Sequence, residues 1–251
     1  MAADSLEPCA LVTGAARRLG RAIAEDLARD GWRVGIHYQT SEADALSLVA
    51  EIEAFGGRAA AFQADLAVLS ALPDLIDDCA ETLGPVSCLV NNAAGFVWDG
   101  PDKFDEAGWT EHHDVNLRAP VFLTKAFANA LPADLEGNVI NLIDQKVHAL
   151  NPHYFTYPLA KSALWTATRT MAQALAPRIR VNAIAPGPVL PFEGQSEEDF
   201  ERECDDTLLK RPVPLSDIAA TVRFLLETRS VTGQMIALDG GRHLNWRPEA
   251  S

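Results

Sequence analysis

Tyr157 and Lys161 stand four residues apart, a spacing that brings both side chains to one face of a helix. A free phenol titrates near ~10, which is too high for efficient proton exchange at neutral pH. A cation about 4 Å away, at an effective dielectric of ~20, stabilises the ionised phenol by about 4 kcal/mol, or roughly three pKa units. The pair therefore predicts a general acid and base that titrates near about 7.

A turn between the first predicted strand and the first predicted helix is a second candidate site. Gly14 and Gly20 stand at its two ends, where glycines let a dinucleotide-binding backbone approach a pyrophosphate at a helix N-terminus. Arg18 occupies the place where a middle glycine is usual, and Arg17 precedes it. Because a helix N-terminus disfavours cations, two arginines there indicate that a phosphate binds at this turn.

The end of the second predicted strand indicates which dinucleotide binds. An NAD site usually carries an acidic residue there for the ribose hydroxyls, whereas the stretch from His37 to Ser41 contains no acid. A carboxylate would repel a 2′-phosphate, but His37 and the hydroxyls of Thr40 and Ser41 would not. Since Arg17 lies in the neighbouring turn, we predict NADP(H) rather than NAD(H).

These residues fall within an alternation of strands and helices. Strands are predicted at 9–13, 33–38, 59–63, 87–90, 138–143, 180–185 and 235–238. The helices between them are predicted after the glycine turn, at 42–55, 69–83 and 114–131, from the tyrosine–lysine pair to about 176, and at 216–226. This alternation predicts the α/β class: a single-domain, doubly wound parallel sheet over 1–251, Rossmann-like, with helices on both faces.

Composition limits the kinds of partner that the chain can have. The 251 residues carry a net charge of −14, which argues against nucleic acid and against an anionic membrane surface. No apolar run approaches the ~20 residues of a membrane span, and 1–8 lack a signal pattern. The four cysteines are scattered without metal-ligand spacing, so a reducing cytoplasm and no metal site are expected.

The order of the motifs resembles the short-chain dehydrogenase/reductase family over nearly the whole chain. The resemblance implies that Asn116 helps to hold a proton-relay water, that Lys161 also binds the nicotinamide ribose, and that the protein is a homotetramer. The motifs and the resemblance together predict these cofactor-binding residues: Gly14, Arg17, Arg18, Leu19, Gly20, His37, Tyr38, Thr40, Ser41, Asp65, Leu66, Asn92, Ala93, Tyr157, Lys161, Pro186, Gly187 and Val189.

Asp144 departs from the pattern of that family, which has a serine thirteen residues before the tyrosine to bind the substrate carbonyl. A carboxylate cannot act as a simple oxyanion donor, and beside Tyr157 it raises the pKa of the phenol or itself takes a proton. It suits a substrate whose ring nitrogens need protons. The set of Asp144, Tyr157 and Lys161 resembles the pteridine reductases, which use these residue types at these positions.

Two further residues resemble that subgroup. Arg18 lies in a TGxxxRxG turn, and Phe96 falls where the subgroup has a phenylalanine that would stack a flat pterin against the nicotinamide. The resemblance implies hydride transfer from NADPH to a C=N bond of a dihydropterin- or dihydrofolate-type substrate. Thr40 and Val189 depart from it, because the subgroup tends to carry arginine and serine near those positions.

Other interpretations stay open. Asp144 could cap a strand end, and Phe96 could belong to the core. The activity could be that of a carbonyl or 3-oxoacyl reductase of the same family. A non-catalytic NADP-binding regulator is a third interpretation, although a sensor does not need Asn116 beside the tyrosine–lysine pair.

Two surfaces are predicted to matter beyond the site. The acidic segment 190–212 follows the sixth strand, where the family usually carries a substrate lid, and its charge disfavours very anionic substrates. Leu164, Trp165 and Met171 suggest an apolar outer face on the tyrosine helix, on which a homotetramer could be built.

Overall fold

A computed structural model describes residues 7–152, 154–192 and 194–246, so the ends of the predicted domain and Glu193 of the predicted lid lie outside it. The strands are β1 (Cys9–Val12), β2 (Arg33–Tyr38), β3 (Arg58–Gln63), β4 (Val86–Asn91), β5 (Gly137–Leu142), β6 (Ile179–Pro186) and β7 (Met235–Leu238). The helices are α1 (Arg18–Arg29), α2 (Glu42–Ala54), α3 (Leu72–Leu83), α4 (Glu106–His113), α5 (Ala119–Ala130), α6 (Thr156–Leu175), α7 (Glu197–Asp205) and α8 (Leu215–Glu227).

Across the described residues, the seven strands form one parallel sheet in the order β3-β2-β1-β4-β5-β6-β7. The chain moves outward from β1 through β2 and β3, then crosses back to pair β4 with β1. This reversal leaves a crevice at the carboxyl ends of β1 and β4, where ligands bind in open α/β sheets. The predicted doubly wound fold is confirmed.

Apolar side chains on both faces of the sheet explain why helices cover it on both sides. On one face, Ile23 and Leu27 of α1 pack with residues of α2 and α8. On the other face, Ile76 of α3 packs with Phe127 of α5 and Ala172 of α6. The residues of β1 and β4 are nearly all buried, as expected for central parallel strands.

The helix predicted at 114–131 begins earlier than the sequence pattern indicated. Asp105 caps α4, and its carboxylate accepts a hydrogen bond of 2.8 Å from the backbone N–H of Gly108. A π-helical turn over Asp114–Arg118 then joins α4 to α5. The prediction was wrong at this end because α4 is mostly polar and contains a glycine, so its apolar residues lack a helical period.

One other expectation was wrong in part, and the lid stays a prediction. Leu164 of α6 is fully buried in the core, so the predicted outer apolar face of that helix does not include it. The predicted lid segment contains α7, whose first residue follows Ser196, the helix cap that accepts from the N–H of Asp199 at 3.1 Å. Within the described parts of the chain, no helix has the length and apolar character needed to cross a bilayer.

Candidate functional site

A cavity of about 610 Å³ opens at the carboxyl ends of β1 and β4. Every residue that the sequence assigned to cofactor or substrate lines this cavity, and so does Asp144. Asn116 is the one predicted site residue that is not part of its wall among the described residues. The wall also includes Val115, Lys146 and Tyr154, which the sequence did not assign, and Phe192, Gln195 and Glu203, which belong to the predicted lid segment.

The glycine turn is narrow and tied to the end of β4. A Cβ atom at Gly20 would lie 2.4 Å from the carbonyl oxygen of Gly14, and one at Gly14 would lie 3.0 Å from Cα of Ala93. The side-chain amide of Asn92 donates to the carbonyls of Thr13 and Gly14 at 2.8 and 3.1 Å. The open backbone of this turn is therefore of the kind that a pyrophosphate can approach.

Arg18 has a left-handed backbone, with φ of 53°, at the position where a glycine is usual. That backbone conformation destabilises a non-glycine residue by about 1 kcal/mol or more. Its guanidinium donates to the carbonyls of Pro191 and Leu190 at 2.8 and 3.3 Å. Arg18 therefore joins the glycine turn to the start of the predicted lid segment.

Arg17 lies beside the start of α2, where the 2′-phosphate was predicted. Its guanidinium donates to the hydroxyl of Ser41 and forms an ion pair of 3.0 Å with Asp44. Arg17 and Ser41 thus sit together as a donor pair at the wall of the cavity.

His37 supports the glycine turn from within the protein. Its buried ring accepts the N–H of Gly14 at Nδ1 (3.0 Å), so Nε2 carries the proton and donates to the carbonyl of Ala64 (3.1 Å). Burial lowers the pKa of His37 to about 4, so the ring is neutral at physiological pH. His37 therefore acts on the cofactor site through Gly14 and not as a free donor.

Asp144 and Tyr157 meet at the centre of the cavity wall. The phenol donates to Oδ2 of Asp144 at 3.2 Å, and the backbone N–H of Lys146 donates to Oδ1 at 2.7 Å. Asp144 is thus both the cap of the short 3₁₀ turn Gln145–Val147 and a partner of the phenol. Its carboxylate faces the cavity next to the predicted catalytic tyrosine.

The sequence predicted that the pKa of Tyr157 lies near neutrality, but the structure has the opposite effect on it. Burial, and then the charge and hydrogen bond of Asp144, raise the pKa of Tyr157 well above its usual value. The ammonium of Lys161 donates to the carbonyl of Leu142 at 2.8 Å and lies 5.7 Å from the centre of the Tyr157 ring. The prediction was wrong because desolvation, which the sequence does not display, outweighs this cation.

Lys161 is itself strongly affected by its surroundings. Burial lowers the pKa of its ammonium to about 8, and the charge of Asp144 opposes that change. The group is therefore mostly charged at pH 7, with its positive end directed at the β5 carbonyl of Leu142.

Asn116 lies in the π-helical turn and is fully buried. Its side chain accepts the N–H of Gly95 at 3.1 Å and donates to the carbonyl of the same residue at 2.8 Å. These bonds hold the segment between Ala93 and Phe96 against the helix. The predicted role of Asn116 in a proton relay stays a prediction.

An aromatic cluster surrounds the phenol. The centre of the Phe96 ring lies 5.3 Å from that of Tyr157, 5.6 Å from that of Tyr154 and 5.9 Å from that of Phe192. Trp98 stacks on Tyr154 with ring centres 4.8 Å apart. The sequence predicted Phe96 and Tyr157 and placed Phe192 only within the lid segment; it did not predict Trp98 and Tyr154, which come from irregular segments whose approach no periodic pattern reveals.

A buried polar network fixes this cluster to the start of α6. His112 accepts the N–H of Val97 at Nε2 (2.8 Å), so its Nδ1 carries the proton toward the hydroxyl of Thr156, 2.5 Å away. The carboxylate of Asp99 accepts from that hydroxyl and from the N–H of Phe155 (2.7 Å). The loop that carries the aromatic rings is therefore held beside Tyr157.

Comparisons with known proteins agree with this geometry. A family model described as Enoyl-(Acyl carrier protein) reductase matches residues 14–243. The structure of FolM alternative dihydrofolate reductase 1 from Brucella canis, complexed with NADP, has 48% sequence identity and a TM-score of 0.94. That match covers 98% of this chain and 97% of the other.

Two curated relatives are similar over almost their full lengths. Pteridine reductase 1 of Leishmania tarentolae is 33% identical over 288 residues, covering 97% of this chain and 99% of the relative. The 3-oxoacyl-(acyl-carrier-protein) reductase FabG of Staphylococcus epidermidis is 33% identical over 241 residues, covering 94% of this chain and 98% of the relative. The chain belongs to the short-chain dehydrogenase/reductase family of oxidoreductases.

Proposed function

We propose that this protein is an NADPH-dependent reductase that transfers hydride to the C=N bond of a dihydropterin-like substrate, of the dihydropterin or dihydrofolate type. The hydrogen bond between Asp144 and Tyr157, in an aromatic-lined cavity, is the observation on which the proposal rests. A serine at position 144 would point to a carbonyl substrate. A carboxylate there suits a heterocycle that exchanges protons at its ring nitrogens.

NADP(H) fits the residues that line the deep half of the cavity. The narrow glycine turn suits the close approach of a pyrophosphate, and a Cβ atom at Gly14 or Gly20 would collide with the packed atoms of Ala93 or of the turn itself and displace it. Arg17 and Ser41 would hold the 2′-phosphate, and residues 39–41 between β2 and α2 include no acid. The phosphate would take the place of Asp44 as the partner of the Arg17 guanidinium. When bound, the reduced nicotinamide supplies the hydride. The complexes of the two Brucella FolM proteins with NADP support the same choice.

The substrate would lie in the half of the cavity that contains the aromatic rings. Phe96 offers a flat ring for stacking, and Tyr154 and Phe192 close the outer side. The neighbouring Tyr157 and Asp144 would face one edge of the heterocycle. The similarity to pteridine reductase 1 and to FolM, named as a dihydrofolate reductase, supports this substrate class.

Tyr157 and Asp144 would have different roles in the proton transfer. Hydride addition to carbon leaves negative charge on the ring nitrogen, which takes a proton from the Tyr157 hydroxyl. The high pKa of Tyr157 means that the phenol stays protonated until that charge develops. Asp144 would orient the phenol and would exchange a proton with it or with the heterocycle.

Dihydrobiopterin-dependent oxidation of NADPH tests the proposal directly. We expect turnover by the wild type, and we expect Asp144→Ser to lose pterin turnover while NADPH binding, followed by fluorescence, is unchanged. Equal pterin turnover in Asp144→Ser would remove the special role of Asp144. A control variant, Arg229→Gln, lies on an exposed ion pair with Glu136 and should behave as wild type.

The similarity to FabG favours a second candidate, a carbonyl or 3-oxoacyl reductase. A panel of ketones, quinones and 3-oxoacyl thioesters with NADPH separates the two. Faster turnover of that panel than of dihydropterins would support this candidate. Tight NADPH binding without oxidation in either panel would instead support a non-catalytic regulator.

A further inference from the structure

Lys146 is a charged residue in the wall of the cavity. Neither the family pattern nor the proposed mechanism assigns it a role. It follows Asp144 by two residues, and its Nζ lies 3.8 Å from Oδ1 of that carboxylate. Its backbone N–H donates to the same oxygen at 2.7 Å, while the Tyr157 hydroxyl donates to Oδ2 at 3.2 Å. The carboxylate is therefore held between the lysine on one oxygen and the phenol on the other.

The ammonium of Lys146 is fixed by its surroundings. It lies 4.5 Å from the centre of the Tyr154 ring, within the range of a cation–π contact. Burial raises the pKa of Tyr154 to about 12, so that ring remains a neutral phenol. The side chains of Lys146 and Asp144 are only 15% and 20% exposed, so solvent screens their interaction less than it screens a surface pair.

Lys146 also stands where two cavities meet. Besides the substrate cavity, it lines a second one of about 1010 Å³ between the 3₁₀ turn and the predicted lid. Tyr154, Phe192, Gln195 and Glu203 also belong to both walls, so they lie between the two spaces. Lys146 therefore contacts Asp144 from the boundary between the two cavities.

We infer that Lys146 is a positioning residue for the reaction: its ammonium holds the Asp144 carboxylate in the orientation that accepts the Tyr157 hydroxyl. The inference rests on the proposed reduction, in which Asp144 assists the phenol. A cation beside one carboxylate oxygen attracts that oxygen and so leaves the other oxygen facing the phenol.

Lys146 is not the only group that acts on Asp144 among the described residues. Lys161 is a second cation whose charge couples to Asp144, and its ammonium is bonded to Leu142. The backbone N–H of Lys146 also remains bonded to Oδ1 when the side chain is changed. Removing the ammonium of Lys146 should therefore loosen the carboxylate without abolishing catalysis.

The split between kcat and KM for dihydropterin reduction tests this role. In Lys146→Gln we expect kcat to fall by about tenfold with KM unchanged, because the carboxylate that orients the phenol is displaced. Lys146→Arg, which keeps the cation, should restore kcat. Arg202→Gln removes a cation that lines only the second cavity and should leave kcat unchanged. An unchanged kcat in Lys146→Gln, or a rise in KM alone, would overturn the inference.

A measurement without turnover separates this inference from the proposed function. A crystal structure of Lys146→Gln, or of Lys146→Met if the first variant does not fold, gives the distance between the Tyr157 hydroxyl and the Asp144 carboxylate in the free protein. We expect this distance to be longer than the 3.2 Å of the wild type. An unchanged distance would refute the role of Lys146. Absence of dihydropterin turnover by the wild type would refute only the proposed function.

Discussion

At the scale of single residues, Tyr157 shows how a buried proton donor differs from an exposed one. Burial and Asp144 favour the neutral phenol, so its proton leaves only when charge develops on the substrate. We predict that Tyr157→Phe lowers kcat by about 10²- to 10⁴-fold, the usual contribution of a general acid. Stopped-flow NADPH oxidation measures this loss. A kcat within about threefold of the wild type would contradict the assignment.

His37 provides a stability test that does not depend on the substrate. Its pKa in the folded protein, about 4, lies below the ordinary 6.5, so folding favours the neutral ring. The stabilisation is complete above about pH 6.5 and is lost as the pH falls toward 4, at a cost of about 3 kcal/mol. We expect His37→Asn to have a flatter stability profile between about pH 7 and 4.5 in urea unfolding. Parallel profiles would contradict the buried neutral ring.

At the scale of elements, we predict that the turn between β1 and α1 controls the affinity for NADPH. Gly14 and Gly31 both have positive φ, 60° and 85°, but only Gly14 has neighbours, among the described residues, within 4 Å of the place that a Cβ atom would take. We predict that Gly14→Ala and Gly31→Ala each lose about 1 kcal/mol of stability from backbone strain. Only Gly14→Ala should also lose NADPH affinity, by about tenfold or more in a fluorescence titration. Equal NADPH affinities of the two variants would contradict this role of the turn.

The elements also show what the sequence could predict. Strand positions were predicted to within about one residue because central parallel strands are continuous apolar runs. The glycine turn and the tyrosine–lysine pair were recognisable from residue types at fixed spacings. Tyr154 was not, because it lies on an irregular segment that the buried network of Asp99 and His112 holds in place. Phe192 fell within the predicted lid segment, but the sequence did not show that its ring reaches Phe96.

At the scale of the whole molecule, the predicted homotetramer needs apolar surface outside the cavity. Phe122 on α5 and Leu159 on α6 are each 42% exposed, and Trp109 on α4 is 39% exposed. We predict a solution mass four times that of one chain by light scattering. Phe122→Asp should reduce that mass by placing charge in an apolar contact. A monomeric wild type would contradict the prediction, and would leave the site within one chain intact.

The central claim is that Asp144 and Tyr157 face a flat nitrogen heterocycle in the aromatic half of the cavity. A crystal structure with NADP⁺ and a dihydropterin analogue measures this most directly. We predict a heterocycle stacked on Phe96, with a ring nitrogen about 2.7–3.2 Å from the Asp144 carboxylate. An analogue bound elsewhere, or an Asp144 side chain turned away from the heterocycle, would contradict it.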